Sequence, residues 1–190
     1  MELSHRLADD LDGCFADLVE EHQDLVFGVA LRAVGNRADA EDVAQESFVR
    51  AYRALRQYPA ERVKGMLFRP WLARITLNVA RNHFRARRPL ADLDVALEVP
   101  APAREEPVVL AERRDERRLW MRLMAGLPER QRLAVGLRHV EGLSYPELAN
   151  ALDRPLGSVK SDVHRGVRLL RAAFEAEQRI IETSETRKAV

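Results

Sequence analysis

The chain has 190 residues, of which 46% are hydrophobic, so it can bury one sizeable core or two small ones. Its 31 basic and 30 acidic side chains give a net charge of +1, which excludes a simple polycation and makes the distribution of charge the informative quantity. Because no run approaches the ~20 apolar residues of a membrane span, and the first residues lack the basic start and apolar centre of a signal peptide, we expect a cytoplasmic protein without membrane insertion.

Two amphipathic helices are predicted before residue 56. Asp12 is placed to cap the first helix, and Gly35-Asn36 is placed to end it. Its apolar positions recur at helical spacing and are Phe15, Leu18, Val19, His22, Leu25, Val26 and Val29. Asp39 is placed to cap the second helix, 39–55, which is acidic at its start and basic at its end. The helix dipole favours that order, and the same face would also serve to dock on another protein.

The stretch 58–69 is predicted to be a loop in which cationic and apolar side chains are interleaved. Such a mixture is suited to holding an unstacked base. Pro70 then opens a third helix, 70–88, with a polar stripe at helical spacing formed by Trp71, Arg74, Asn78, Arg81 and Arg85, with Asn82 beside it. A solvated arginine face is the alternative interpretation. Because Trp can stack, Asn can bond base edges and Arg can bond phosphate, the stripe favours nucleic-acid binding.

The composition changes between Pro89 and Pro107. Four prolines exclude a long helix there, and five carboxylates face a single arginine, Arg104. We therefore predict an extended acidic linker over 89–107, able to span roughly 60–65 Å. It is either a solvating spacer or a segment that occupies a basic channel on a partner.

A helix-turn-helix is predicted over 143–171, after a charged helix over 108–127 and another that starts at Pro128. Ser144 and Glu147 form a capping box, and Asp153-Arg154 ends the first helix of the motif. In the second helix Val159, Val163, Val167, Leu170 and Phe174 fall on one side, and Lys160, Ser161, His164, Arg165, Arg168 and Arg171 on the other. A cationic, hydrogen-bonding face of this kind is suited to the major groove of DNA. The alternative is an amphipathic helix pair with a solvated basic face.

Motifs for catalysis and metal binding are missing from the sequence. The histidines and Cys14 do not pair at metal-ligand spacing, and Cys14 is predicted to be a core residue. Gly157-Ser158 precedes Lys160 without the spacing of a phosphate-binding loop. We expect no catalytic residue, no metal and no cofactor, and therefore no enzyme.

The chain resembles the bacterial RNA polymerase sigma factors of the extracytoplasmic-function type. The resemblance lies in the stretches 39–55, 70–88, 127–152 and 157–166, which occur in the order and spacing of that family. It implies an all-α fold of two small helical domains joined by an acidic, proline-rich linker, the second containing a helix-turn-helix. The expected boundaries are 1–88 for the first domain, 89–107 for the linker, 108–175 for the second domain and 176–190 for a polar tail that frays.

The resemblance also implies a function: binding core RNA polymerase, directing it to promoters and helping to open the duplex. The helix 39–55 would dock on the clamp of the largest subunit, with Asp39, Asp42, Gln45, Glu46, Arg50 and Arg53. The −10 element would be read by Lys64, Met66, Phe68, Trp71, Arg74, Asn78, Arg81, Asn82 and Arg85. The −35 element would be read by Ser158, Lys160, Ser161, His164, Arg165, Arg168 and Arg171. The linker would thread toward the polymerase active site.

Further partners follow from the same resemblance: promoter DNA, the polymerase subunit that contacts the C-terminal domain, and an anti-sigma protein. Two residues depart from the family's pattern. Asp162 stands where a basic residue is frequent, which predicts a different −35 preference, and Pro146 should be tolerated in a first helical turn. The alternative function is a helix-turn-helix repressor or activator that acts without polymerase docking, and a third is a helical adaptor that binds only protein.

Overall fold

The computed structural model describes residues 2–87 and 118–188, and within these ranges it is all-α, without a strand. The N-terminal unit consists of α1 (Leu3–Asp9), α2 (Leu11–Val34), α3 (Arg37–Leu55), α4 (Ala60–Lys64) and α5 (Phe68–Arg87). The C-terminal unit consists of α6, described over 118–125, α7 (Glu129–Val135) with a π-helical turn (Gly136–Val140), α8 (Tyr145–Leu152) and α9 (Leu156–Lys188). The predicted linker, 89–107, and the start of the predicted helix 108–127 lie outside the described residues. None of the described helices is both long and apolar enough to cross a membrane.

Two predicted helix caps are wrong by two or three positions. Asp10, not Asp12, caps α2 by accepting a hydrogen bond from the Gly13 backbone N–H at 2.9 Å. Asn36, not Asp39, caps α3 by accepting from the Asp39 N–H at 2.9 Å. The two predicted residues lie in the first turn instead, where the helix dipole also favours a carboxylate. Gly35 ends α2 as predicted, in the left-handed conformation at φ 85°.

Three stretches are more helical than predicted. The short helix α1 was not expected, and the predicted loop 58–69 contains α4 and the first residues of α5. Helix α5 begins at Phe68 because Pro70 then falls in its first turn, where no backbone N–H is needed. The predicted frayed tail from 176 is part of α9, since that stretch lacks Gly and Pro and Arg122 of α6 holds Glu177 at 2.8 Å.

Each unit has apolar packing of its own. Helices α1 to α5 bury Leu7, Leu18, Val26 and Leu72, with Cys14 partly buried against them as predicted. Helix α3 adds a second cluster with α2 and α5. In the C-terminal unit Met124, Leu127, Val135 and Leu170 pack α6 and α7 against α9.

A further cluster, here called the shared core, joins the two units. It contains Leu25 and Val29 of α2, Ala73 and Leu77 of α5, and apolar side chains of α7, α8 and α9. The C-terminal contributors are Leu133, Ala134, Leu137, Leu143, Leu148, Ala151, Leu152, Val159 and Val163. Burial of such side chains provides the main attraction between packed elements. The arrangement in which α5 lies against α8 is called the closed arrangement below.

Helices α7 and α9 approach each other closely at Gly166. A Cβ atom on this residue would lie 2.5 Å from Cγ2 of Val135 and 3.3 Å from the Gln131 carbonyl oxygen. Both are fixed atoms of a buried contact, so even one methyl group would force the helices apart. Gly166 is therefore required for the packing of the helix-turn-helix.

We predict that Gly166→Ala lowers the free energy of unfolding by about 1–2 kcal/mol, because overpacking outweighs the better helix propensity of alanine. Urea unfolding followed by circular dichroism measures the change. Gly157→Ala is the matched control, since nothing lies within 4 Å of its added Cβ, and it should not destabilise the chain. Equal behaviour of the two variants would contradict the packing argument.

Candidate nucleic-acid interface

The helix-turn-helix is built as its sequence predicts. The Ser144 backbone N–H donates to Glu147 Oε2 at 2.8 Å, and the Glu147 N–H donates to Ser144 Oγ at 3.4 Å, which completes the capping box. The hydrogen bond from the Ser144 side chain lowers the pKa of Glu147. A lowered carboxyl pKa means that this cap stabilises the fold above the ordinary glutamate pKa and is lost as pH falls through the lowered value. Asp153 ends α8 with φ 54°.

The first half of α9 presents the predicted cationic face to solvent. Lys160, Ser161, His164, Arg165, Arg168 and Arg171 are exposed and Ser158 is half-buried. On the opposite side Val159, Val163 and Leu170 are buried, as expected. Phe174, which was predicted to pack inward, is 42% exposed in the part of the chain that the structure describes. The described packing thus leaves the face that was predicted to enter the major groove uncovered.

Asp162 is buried, with 8% of its surface exposed. Its carboxylate pairs with the guanidinium of Arg154, which lies in the turn between α8 and α9. The sequence placed Asp162 on the flank of the helix and could not identify this partner. The side chain therefore ties the turn to α9, and the altered −35 preference expected from this residue stays a prediction.

The predicted stripe on α5 is present on one face of the helix. Arg74, Asn78, Arg81, Asn82 and Arg85 are exposed, and Trp71 is half-buried. Asn78 Oδ1 accepts a hydrogen bond from Arg81 Nη1 at 3.0 Å. Helix α5 is buried on two further sides, one packed on α2 and α3 and the other packed on α8. Ala73 and Leu77 are buried in the cluster that includes α8, a contact that the periodicity of α5 alone does not predict.

The stretch between α4 and α5 differs from the prediction in one side chain. Phe68 is only 7% exposed, and its ring centroid lies 6.2 Å from that of Trp71, so it packs beneath the stretch and not on its surface. Leu67, which was not among the predicted site residues, is 67% exposed. Met66 is half-buried, and Lys64 is paired with Glu61 at 3.1 Å.

The predicted docking face of α3 is mostly on the surface. Asp42, Gln45, Arg50 and Arg53 are exposed, and Glu46 is half-buried and pairs with Arg50 at 2.7 Å. Asp39 is different. Its carboxylate accepts from Asn36 Nδ2 at 2.8 Å and lies 3.3 Å from Nε2 of His83 on α5, so it ties α3 to α5.

Polar contacts between the units accompany the shared core. Glu141, at the end of the π-helical turn, lies 2.5 Å from Arg32 Nη1 of α2, and its backbone carbonyl accepts from Arg69 at the start of α5. Arg74 of the α5 stripe lies 3.2 Å from Asp153 in the helix-turn-helix. Two arginines of the α5 region are thus engaged within the chain.

Burial raises the pKa of Glu141, against the opposing effect of the Arg32 and Arg69 charges. A raised carboxyl pKa means that the folded chain binds the Glu141 proton more tightly than water-exposed glutamate does. The ionised carboxylate therefore costs free energy at neutral pH, and this cost is relieved as pH falls through the raised pKa. Within 2–87 and 118–188, no group of three or more His, Cys, Asp or Glu side chains is arranged to hold a metal ion.

Comparison with known proteins gives two family matches and several close relatives. Sigma-70 region 2 matches residues 18–89, and Sigma-70, region 4 matches residues 117–170. The RNA polymerase sigma-H factor of Pseudomonas aeruginosa is 36% identical over 159 residues, which cover 78% of this chain and 79% of that protein. The ECF RNA polymerase sigma-E factor of Salmonella typhimurium is also 36% identical, over 78% of this chain and 80% of its own length. Among solved structures, CnrH in complex with the cytosolic domain of CnrY is similar with a TM-score of 0.65 and 26% identity, over 92% of this chain and 96% of that one.

We predict that Asp162→Ala lowers the free energy of unfolding by about 1–3 kcal/mol, because Arg154 loses the partner of a largely buried ion pair. Urea unfolding measures the change. The double variant Arg154→Ala/Asp162→Ala should be less destabilised than the sum of the two single variants, since no unpaired charge remains. If the destabilisation of the double variant equals the sum of the two single variants, the pair does not couple the turn to α9.

Proposed function

Because the chain belongs to the extracytoplasmic-function sigma factors of bacterial RNA polymerase, we propose that its α3, α5 and α9 surfaces are the sites by which it performs that role. A sigma factor directs core RNA polymerase to promoters. The observation that supports this proposal is that each of the two matched regions contains one exposed cationic helix face, on α5 and on α9 respectively. The chain then acts in the cytoplasm, without catalytic activity of its own.

Docking on polymerase is assigned to the exposed part of α3. Asp42, Gln45, Glu46, Arg50 and Arg53 form a mixed-charge face that no described helix covers, and charged rim residues of this kind steer and orient protein association. Asp39 contributes indirectly, since it holds α3 against α5 through His83. We propose that this face binds the clamp of the largest polymerase subunit.

Reading of the −10 element is assigned to α5 and the stretch before it. The stripe of Arg74, Asn78, Arg81, Asn82 and Arg85 offers donors for phosphate and base edges, and Trp71 offers a ring for stacking. Lys64, Met66 and the exposed Leu67 would surround a base flipped from the strand, which costs a few kcal/mol of lost stacking. Phe68 supports this surface from beneath.

Reading of the −35 element is assigned to the exposed face of α9. Ser158, Lys160, Ser161, His164, Arg165, Arg168 and Arg171 provide cationic and hydrogen-bonding groups on a helix of the width that a major groove admits. The 25 base pairs between −35 and −10 span roughly 85 Å at ~3.4 Å per base pair. Arg74 and Asp153 lie 3.2 Å apart in the closed arrangement, so binding both elements requires the two units to separate.

A regulatory protein partner is proposed from the similarity to CnrH, whose structure contains the cytosolic domain of CnrY. For this chain we propose an anti-sigma protein that binds the same two units. A repressor or activator that acts without polymerase is the second candidate, because the helix-turn-helix alone is compatible with it. It would not need the charged face of α3.

We predict that Asp42→Arg/Glu46→Arg abolishes most promoter-dependent run-off transcription by purified core polymerase, whereas the wild-type chain supports it. Reversing two charges at a rim of opposite potential weakens association by about tenfold or more. Glu175→Arg/Glu177→Arg on α9 carries the same charge change and should remain active. If the wild type, the α3 variant and the α9 variant support equal transcription, α3 is not the docking site. If the wild-type chain supports no transcription from any genomic fragment, the repressor function is favoured.

We predict that Arg165→Ala/Arg168→Ala weakens binding to duplex −35 DNA, each lost contact costing on the order of 1–3 kcal/mol. Fluorescence anisotropy with holoenzyme across a salt series measures the affinity. The variant should also show a shallower dependence on salt concentration, because fewer phosphate contacts release fewer counterions. Arg179→Ala, further along α9, is the control. Unchanged affinity at moderate salt would show that the reading face is misassigned.

A further inference from the structure

Arg62 of α4 is stacked on the ring of Tyr58, beside the stretch that is proposed to read the −10 element. Its guanidinium carbon lies 3.6 Å from the centroid of the Tyr58 ring. At that separation two planar groups are in van der Waals contact face to face. Arg56 also lies over a tyrosine, but its guanidinium carbon is 5.8 Å from the Tyr52 ring centroid, so that pair is not stacked in this way.

The outer face of the Arg62 guanidinium is open to solvent. Arg62 is exposed, whereas Tyr58, which covers its inner face, is half-buried. Among the described residues no carboxylate forms an ion pair with Arg62, while Lys64 on the same short helix pairs with Glu61 at 3.1 Å. A planar cation with one face on a ring and the other face free can stack on a second planar group.

The backbone of α4 holds this arginine in place. Val63, the next residue, is 3% exposed and belongs to the same apolar cluster as Leu7 of α1 and Phe68 of α5. The Arg62 backbone N–H donates to the Pro59 carbonyl at 2.9 Å. Because a side chain that is ordered before binding loses less conformational entropy when a ligand arrives, the stacked arginine is preorganised for binding.

The Tyr58 ring continues the aromatic surface that begins on α5. Its centroid lies 6.2 Å from that of Trp71, the residue proposed to stack on DNA, with 57° between the two ring planes. Proteins that bind single strands place successive bases on neighbouring planar side chains along a cationic groove. Trp71, Tyr58 and Arg62 form such a series, and Arg62 is its outermost member.

We propose that Arg62, positioned by Tyr58, stacks on a second unpaired base of the opened non-template strand, next to the base captured beside Leu67. This inference deepens the proposed −10 function and rests on it, because the strand must be open at this surface. Arg62 contacts the base, and Tyr58 is a positioning residue beneath it. Every base has a planar face, so the contact strengthens binding of the opened strand without selecting its sequence.

The contact is tested with holoenzyme and a promoter duplex whose −10 segment is left unpaired, with affinity measured by fluorescence anisotropy. Arg62→Lys keeps the charge but lacks a planar group, so it should bind roughly 5- to 100-fold more weakly than the wild type. The dependence of its affinity on salt should be unchanged, because no cation is lost. Arg56→Lys is the matched control and should bind like the wild type.

Two variants of Tyr58 test its role as a positioning residue. Tyr58→Leu keeps an apolar side chain in the cluster but removes the ring, so it should show the same loss of affinity as Arg62→Lys. Tyr58→Phe keeps the ring and should bind like the wild type. Because Arg62 is exposed, its lysine variant keeps the test valid if Tyr58→Leu folds poorly.

Abasic substitutions along the unpaired strand separate stacking from a general effect on the fold. Removing the base that stacks on Arg62 should abolish the difference between the wild type and Arg62→Lys at that one position. Leu67→Ala should lose its effect at a neighbouring position instead. The proposal is overturned if Arg62→Lys binds as tightly as the wild type, if its loss persists at every abasic position, or if both variants respond to the same position.

The same series distinguishes failure of this inference from failure of the proposed −10 function. If Leu67→Ala and Asn78→Ala leave the affinity for the unpaired segment unchanged, the −10 surface is misassigned and the second base contact falls with it. If these two variants weaken binding and Arg62→Lys does not, the −10 surface stands and the second base contact alone is refuted.

Discussion

The shared core between the N-terminal and C-terminal units is the interaction on which the rest of the structure depends. Leu148 and Leu137 are fully buried in it, in one cluster with Leu25, Val29, Ala73 and Leu77 of α2 and α5. Separating the units would expose the apolar surface that they share to water, so a partner that covers this surface would favour the open chain. The same packing places the helix-turn-helix against α5, the helix proposed to read the −10 element.

Packing of the two units against each other limits which residues α5 can carry on each of its sides. One side of the helix packs on α2 and α3, a second side with Ala73 and Leu77 packs on α8, and the remaining stripe carries Arg74, Asn78 and Arg81. A helix that is buried on two sides has little room for polar residues elsewhere, so the stripe is narrow. Arg74 stands at the border and is engaged by Asp153 in the closed arrangement. The cationic face of α9, proposed to read the −35 element, makes no such contact with the N-terminal unit and stays exposed.

Local signals in the sequence predicted the elements better than the contacts between them. The Ser144–Glu147 capping box and the cationic face of α9 follow from spacing alone, and both are present. The capping residues of α2 and α3 were predicted at the wrong positions, because several Asp and Asn side chains lie near each helix start and any of them can act as the N-cap. The burial of Phe68 and Asp162 was not predicted, because it depends on Trp71 and Arg154, partners that periodicity does not identify. The contact of Arg32 with Glu141 joins residues far apart in the chain, and no motif or spacing in the sequence indicated it.

We propose that the two units, which pack through the shared core in the free chain, separate when the chain binds a promoter. Spin labels on α2 and α9 in the free chain and in holoenzyme bound to promoter DNA measure this directly by electron–electron resonance. We expect one short distance in the free chain and a distribution shifted by tens of ångströms in the promoter complex, since elements about 25 base pairs apart are separated by roughly 85 Å of duplex. The same short distance in both states would contradict it, because α5 and α9 would then act while still packed through the shared core.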